Sequence, residues 1–296
     1  MAREPLHWRI GKGTLLLDGA MGTQLFERGI APGGCNEKLC LDRPEVVSAV
    51  HQAYLDAGCN AILTNSFGAN VISLARHRLV DQVHSINFAA AQIARKAAGD
   101  DRYVFGDIGP TGDFLAPLGT LKEADLYAAF AAQAKALDEG GADGFIIETM
   151  TALDELTVAV KAVKSVSTKP VLASMAFDPA PDGARTMMGV TPRMMVDKML
   201  SCGVHAVGFN CGTLDMDGYV ALAEAFRSAL FGTNIRWLAE PNAGKPQLLG
   251  DKAVYTLSPE DYAKALVEIR NMGCAIIGGC CGTSPAYLAA AAKAMK

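Results

Sequence analysis

Gly144-Phe145-Ile146-Ile147-Glu148-Thr149-Met150 is a short apolar run closed by a carboxylate, and a helical pattern over 154–166 follows it directly. The run is nearly continuous rather than alternating, as in a parallel strand buried on both faces. Seven further runs share this character, at 15–20, 61–67, 103–110, 170–177, 205–212, 236–244 and 274–282. Helical patterns lie between them, for example at 44–57, 123–138, 219–229 and 259–272. Asp42-Arg43-Pro44-Glu45, Thr191-Pro192 and Ser258-Pro259-Glu260 place a capping residue just ahead of a first-turn proline, a helix start signal. Gly58, Gly140-Gly141, Gly203 and Gly273 mark helix ends. Eight strand–helix units in strict alternation predict an α/β fold, a (βα)8 TIM barrel, over an open doubly wound sheet.

A barrel of this kind typically takes about 250 residues. No Gly/Ser-rich linker divides the 296 residues, and the polar insert at 178–189 is too short for a domain of its own, so one barrel domain is expected over 1–296. Half the residues are hydrophobic, a fifth are charged, and the net charge is -4. That balance offers nothing to attract nucleic acid or an anionic membrane. The first fourteen residues mix Arg3, Glu4, His7, Arg9 and Lys12 with few apolar side chains, unlike a signal peptide. No window reads as a membrane span, and a cytoplasmic location is expected. In such a reducing compartment cysteines serve as core filler or metal ligands rather than disulfides.

Barrel sites sit at the carboxyl ends of the strands. The closing residues here are Asp18, Thr64-Asn65-Ser66, Asp107, Glu148-Thr149, Ser174, Asn210-Cys211, Glu240 with Asn242, and Cys280-Cys281. Cys211 closes the sixth run, and Cys280 and Cys281 close the eighth between glycines. Strands six and eight lie two apart around one mouth, so the three thiolates can converge. Three protein ligands with an open fourth position is the pattern of catalytic zinc. Zinc suits soft thiolates, and it lowers the pKa of an incoming thiol. Cys59, Cys202 and Cys274 read as core filler, as do Cys35 and Cys40 on the loop after the first strand.

The turn Asp18-Gly19-Ala20-Met21-Gly22 offers backbone N–H groups to a substrate carboxylate and the Asp18 carboxylate to an amine, or Asp18 simply caps the turn. Glu148 has no local cation, so it awaits either a ligand ammonium or a rim salt bridge. The five histidines fall at strand starts, in helices or in the tail and read as structural. A thiol activated without a histidine base needs another activator, and a metal supplies one. No dinucleotide fingerprint follows any strand.

Asp18-Gly19-Ala20-Met21-Gly22-Thr23, Thr64-Asn65-Ser66-Phe67, Gly208-Phe209-Asn210-Cys211-Gly212, Pro241-Asn242-Ala243-Gly244 and Gly278-Gly279-Cys280-Cys281-Gly282-Thr283 together resemble the homocysteine S-methyltransferase family. The resemblance runs from about Gly13 to the carboxyl terminus. It is nearest to the homocysteine-binding module of cobalamin-dependent methionine synthase and to stand-alone bacterial betaine–homocysteine methyltransferases. It implies methyl transfer to the thiol of homocysteine, held on Zn2+ as thiolate, to give methionine. Cys211, Cys280 and Cys281 would be the zinc ligands, with Asn242 as fourth ligand before substrate arrives. Asp18 and Glu148 would hold the amino group, with the amides around Gly19, Ala20 and Met21 on the carboxylate. The tyrosine that follows the glutamate in mammalian betaine enzymes is Thr149 here.

The short stretch after Cys281 and the lack of an Asp-x-His-x-x-Gly signature lead us to expect any methylated corrinoid to arrive on a separate protein. The expected donor is a small onium compound, glycine betaine first, with S-methylmethionine or such a methylcorrinoid as alternatives. Phe67, Phe114 and Phe177 are candidates for the aromatic faces that a cationic donor wants. A zinc-dependent hydrolase or lyase and a non-catalytic zinc-binding scaffold are the readings from other classes. Three thiolates make zinc a poor Lewis acid toward water, which weighs against the hydrolase.

Overall fold

The computed structural model describes residues 3–249 and 252–296; Met1, Ala2, Gly250 and Asp251, all within the expected domain span, lie outside the described residues. Eight parallel strands form one sheet: β1 (Leu15–Leu16), β2 (Ala61–Leu63), β3 (Tyr103–Ile108), β4 (Gly144–Met150), β5 (Val171–Met175), β6 (Ala206–Asn210), β7 (Arg236–Glu240) and β8 (Ile276–Ile277). Their order is β1-β8-β7-β6-β5-β4-β3-β2, the order of an (βα)8 barrel. The wrapping helices are α1 (Pro44–Asp56), α2 (Val83–Ala98), α3 (Glu123–Glu139), α4 (Leu153–Val166), α5 (Pro192–Cys202), α6 (Met216–Ala229), α7 (Pro259–Asn271) and α8 (Pro285–Ala294).

Closure is made in two ways. β1 and β8 pair in register, Leu15 with Ile276 and Leu16 with Ile277. Between β1 and β2 the ladder gives way to Asn60, whose N–H donates to Leu16 O at 2.7 Å while its Oδ1 accepts from Leu16 N at 3.0 Å. One residue type thus supplies both halves of a missing ladder step, satisfying backbone groups that burial would otherwise orphan.

Alternation along each strand explains where the polar residues go. Inside the barrel, Leu15, Leu17, Ala61, Tyr103, Phe105, Ile146, Leu172, Ala206, Leu238 and Ile276 pack as one apolar cluster. Successive inward positions lie two residues apart. Stepping up by two therefore leads from Phe105 to Asp107, Ile146 to Glu148, Leu172 to Ser174 and Leu238 to Glu240, all four of which are buried. The barrel is apolar at its base and polar at its mouth because each of these strands changes character at the same height.

A short helix, Leu6–Arg9, closes the base: Leu6 and Ile10 join the interior cluster. Its apolar residues are scattered among charges, so no periodic signal announces it. The outer layer buries the apolar faces of the helices against the strands, with Tyr54, Phe130, Phe226 and Tyr262 fully covered. The insert at 178–189 is a small antiparallel hairpin, Asp178–Ala180 against Gly183–Arg185. Asp178 Oδ1 accepts from Thr213 N at 3.0 Å and Thr213 Oγ1 at 2.7 Å. The hairpin is thereby fastened to the loop that carries Cys211. Among the described residues no helix is long and apolar enough to cross a membrane.

Candidate metal and amino-acid site

The sulfurs of Cys211, Cys280 and Cys281 lie within 4.8 Å of one another, brought together from the ends of β6 and β8. Local backbone makes this possible. Cys211 takes a left-handed conformation, φ 54°, which an L-residue adopts rarely. Gly212 follows at φ +86°, and a Cβ there would stand 2.0 Å from Phe177 O, so only glycine fits that turn. Cys211 Sγ is 3.8 Å from Cys281 Sγ. Zinc bound tetrahedrally with Zn–S of about 2.3 Å spaces its sulfurs about 3.8 Å apart. Donor chemistry and spacing therefore both fit that ion. The neighbouring thiols of Cys211 and Cys280 lower the pKa of Cys281 below that of an ordinary thiol.

The fourth expected ligand, Asn242, is buried; its Nδ2 donates to Gly212 O at 2.7 Å, while Oδ1 has no partner. An orphaned acceptor of this kind is costly unless something fills its lone pairs. Asn242 does not line the cavity that opens beside the cysteines.

A cavity of about 360 Å³ opens beside the cysteines, lined by Asp18, Gly19, Ala20, Met21, Glu148 and Thr149 among others. All five residues expected to hold an amino acid thus line one cavity with the three thiols. Ala20 needs a qualification: its N–H donates to Thr283 O at 3.1 Å and Thr283 Oγ1 at 3.3 Å. The expected carboxylate contact through that amide is therefore replaced by a tie between the first and last loops. Another cavity, of about 460 Å³, lies at the amino ends of β1 and β2 among Thr14, Asn60, Arg270 and Lys293, away from the thiols.

The mouth is strongly acidic. Burial, with the neighbouring Cys211, pushes Glu148 up to about 8. Burial likewise raises Asp18, Asp107 and Glu240 well above the carboxylate range, each with a contribution from the Glu148 charge. Asp18 Oδ2 accepts from Leu63 N at 3.0 Å, whereas Asp107 Oδ1 and Glu240 Oε2 are buried without partners. Among the described residues, no lysine, arginine or histidine lines the cavity. The site is consequently shaped for positive charge, which would relieve the mutual repulsion of these carboxyls.

Several working parts acquire their role only once the barrel closes. Asn210 is the hub: Nδ2 donates to Glu148 Oε2 at 3.1 Å and to Thr149 Oγ1 at 2.7 Å and faces Cys280 Sγ at 3.7 Å. Its Oδ1 accepts from Thr149 N at 2.8 Å and Ser174 Oγ at 2.7 Å. One amide therefore links the thiol cluster to the Glu148 carboxyl in the cavity wall. Buried tyrosines on the outer helices fasten the loops. Tyr54 donates to Ala20 O and Thr283 O at 3.0 and 2.7 Å, Tyr262 to Pro241 O and Gly278 O at 3.1 and 2.9 Å, and Tyr219 to Cys211 O at 2.8 Å. A pattern search marks such residues as ordinary helix core.

Of the three phenylalanines expected near the thiols, only Phe67 lines the cavity. Phe177 is fully buried and packs edge-on against Phe226, while Phe114 lies outside the lining. Phe177 follows β5 on the side facing the helices rather than the mouth. Phe26, unanticipated, joins Phe67 and Glu37 at the outer part of the cavity. Cys40, Cys59 and Cys274 are buried as filler, whereas Cys35 is half-buried and donates to Glu37 Oε2 at 3.3 Å.

The family model described as homocysteine S-methyltransferase matches residues 15–295. Among curated proteins, methionine synthase of Mycobacterium tuberculosis is 33% identical over 298 residues, covering 94% of this chain and 24% of that protein. The Mycobacterium leprae methionine synthase is 31% identical with the same coverage. The chain thus spans about a quarter of the length of these relatives. Among solved structures, the metallated form of the homocysteine methyltransferase MmuM from Escherichia coli is 26% identical, with TM-score 0.80 over 98% of this chain and 99% of that one.

Proposed function

The chain belongs to the homocysteine S-methyltransferase family, and on that footing we propose that it transfers a methyl group to the thiol of homocysteine, giving methionine, at a zinc centre held by Cys211, Cys280 and Cys281. The observation that carries the reading is the convergence of those three sulfurs at one wall of an acidic, amino-acid-sized cavity. When bound, zinc lowers the pKa of an incoming thiol and keeps it ionised at neutral pH. The remaining work falls to the chain. Asp18 and Glu148 receive the substrate ammonium, and its charge draws their protons off. The amides of Gly19 and Met21 receive the carboxylate. Asn210 holds Glu148 in place while facing Cys280, so amino-acid binding and thiol placement are set by one side chain. The buried tyrosines keep the loops from spreading.

For the donor we propose a small onium compound, glycine betaine first. The outer cavity supports it: Phe26 and Phe67 are 44% and 37% exposed there beside Glu37, and aromatic faces attract quaternary cations. One observation favours a second reading. With no lysine or arginine among the described residues of the lining, the carboxylate of betaine has no ionic partner there, which favours S-methylmethionine, whose net charge is positive, or a methylcorrinoid carried on a separate protein. Methionine formation by the zinc-loaded protein, assayed with homocysteine and each donor in turn, tests this. Turnover with betaine is expected. Turnover only with a methylcorrinoid protein rejects the onium reading, and a chain that binds no zinc and turns over no donor rejects methyl transfer at this centre.

A further inference from the structure

Among the described residues, Arg78, Thr149 and Cys211 are the non-glycine residues with a left-handed backbone, and the last two stand at the mouth. Such settings persist only where surrounding contacts over-determine them. At Cys211 those contacts can be named. Cys211 N donates to Glu240 O at 3.2 Å, and the Tyr219 hydroxyl donates to Cys211 O at 2.8 Å. Asn242 Nδ2 donates to Gly212 O at 2.7 Å, and Thr213 donates through N and Oγ1 to Asp178 Oδ1 at 3.0 and 2.7 Å. Glu240, Asn242 and Tyr219 belong to the end of β7 and to α6, which the barrel supplies in any case. Asp178 belongs to the hairpin inserted after β5.

That hairpin is seated on its neighbours. Phe177, just ahead of Asp178, is fully buried, and a Cβ on Gly212 would stand 2.0 Å from its carbonyl oxygen. Ala176 N donates to Met150 O at 2.9 Å, and on the far leg the buried Thr186 donates through Oγ1 to Thr151 O at 2.7 Å. Both legs thus rest on the end of β4. There the ladder to β5 shifts register between Ile147 and Met150, so Glu148 and Thr149 stand opposite Ser174 alone, a bulge of the sort that re-aims side chains beside a site.

We infer that Asp178 is a positioning residue of the metal centre: it fastens the Cys211–Thr213 turn to a hairpin braced on β4, and so keeps the left-handed backbone that aims the Cys211 sulfur at Cys280 and Cys281. This rests on the zinc reading above. Asp178 hydrogen-bonds Thr213 and no sulfur, so it acts on placement alone. A turn that leaves the competent setting part of the time weakens metal binding in proportion to the fraction lost. One strained backbone setting corresponds to roughly 5- to 150-fold in an equilibrium.

The test compares the full chain with Asp178→Asn, which keeps an oxygen acceptor for Thr213 without the charge, and Asp178→Ala, which keeps neither. Zinc affinity, by competition with a chromophoric chelator, and the visible bands of the Co2+-loaded protein are read alongside melting of the metal-free form. Asp178→Ala is expected to bind zinc roughly 10-fold more weakly and to shift the cobalt bands as the ligand geometry loosens, with metal-free melting unchanged. Asp178→Asn is expected to restore wild-type affinity and bands. Wild-type affinity with unmoved bands in Asp178→Ala overturns the inference. Equal weakening in both variants also overturns it, since the charge and not the hold on Thr213 would then matter, as does a loss of affinity matched by a fall in metal-free melting. A wild-type chain that takes up neither metal overturns the zinc reading and this one with it.

Discussion

Replacing Glu148 by Gln removes one negative charge from the amino-acid pocket and almost nothing else. The side chain is 9% exposed, and its Oε2 accepts from Asn210 Nδ2 at 3.1 Å, a contact that an amide oxygen can keep. What disappears is the charge facing a ligand ammonium. Hydrogen bonds to charged groups contribute about 1.5–3 kcal/mol, and about 1.4 kcal/mol is tenfold in affinity. Homocysteine should therefore bind roughly 10- to 150-fold more weakly to the zinc-loaded Gln variant. Burial above all holds Glu148 above the usual carboxylate range, so its ionised fraction grows from pH 6 to pH 9. The ratio of wild-type to variant affinity should accordingly grow across that interval. Ionisation of the substrate thiol affects both proteins equally and cancels in the ratio. Calorimetric titration with homocysteine across the interval, with zinc content measured on the same samples, decides it. Equal affinities at matched zinc content, or a ratio that does not change with pH, would refute the role given to Glu148.

Cys281→Ala should abolish zinc uptake and methionine formation while leaving the circular dichroism of the barrel intact, because the three thiols lie at the mouth and the apolar core below it; a variant that unfolds contradicts this. Asn210→Ala removes donors to both Glu148 and Thr149, so homocysteine affinity should fall by roughly tenfold or more, the amount of about 1.5 kcal/mol for a hydrogen bond to a charged group, as read by titration of zinc-matched samples. Relative to Glu148→Gln, the metal-free, ligand-free protein should lose stability as pH rises from 5 to 8. Glu148 has its pKa raised from 4.5 to about 8 on folding, so the folded state binds more protons in this window. Stability is then full below the unfolded value and lost as pH climbs through the folded one, by about 1.4 kcal/mol per pH unit for each such carboxyl. Urea melts of both proteins over that range check the sign, and a difference between them that is flat or rises with pH would count against the buried Glu148 carboxyl.

What could be read in advance followed from how strongly local physics constrains each part. Every barrel strand is apolar because it is covered on both faces, and each such run stands out against the polar loops. The cysteine pair between glycines is likewise a local signal, since Gly282 takes φ 78° there, a value few residues adopt. Asn210 was visible only as a strand-closing residue; its four partners come from three other strand ends and exist only after closure. Tyr54, Tyr219 and Tyr262 look like helix core, because their hydroxyls find the mouth loops only in three dimensions. Phe177 shows the converse. It ends an apolar run at the right end of β5, yet the pleat turns it outward against Phe226, and a difference of one residue in register exchanges mouth for core.

The centre itself can be interrogated by zinc K-edge X-ray absorption on the reduced protein before and after adding homocysteine. The account predicts three sulfur neighbours at about 2.3 Å with one lighter atom, becoming four sulfurs once the amino acid is bound. Fewer than three sulfurs at the start, or a sulfur count that homocysteine leaves unchanged, would contradict it.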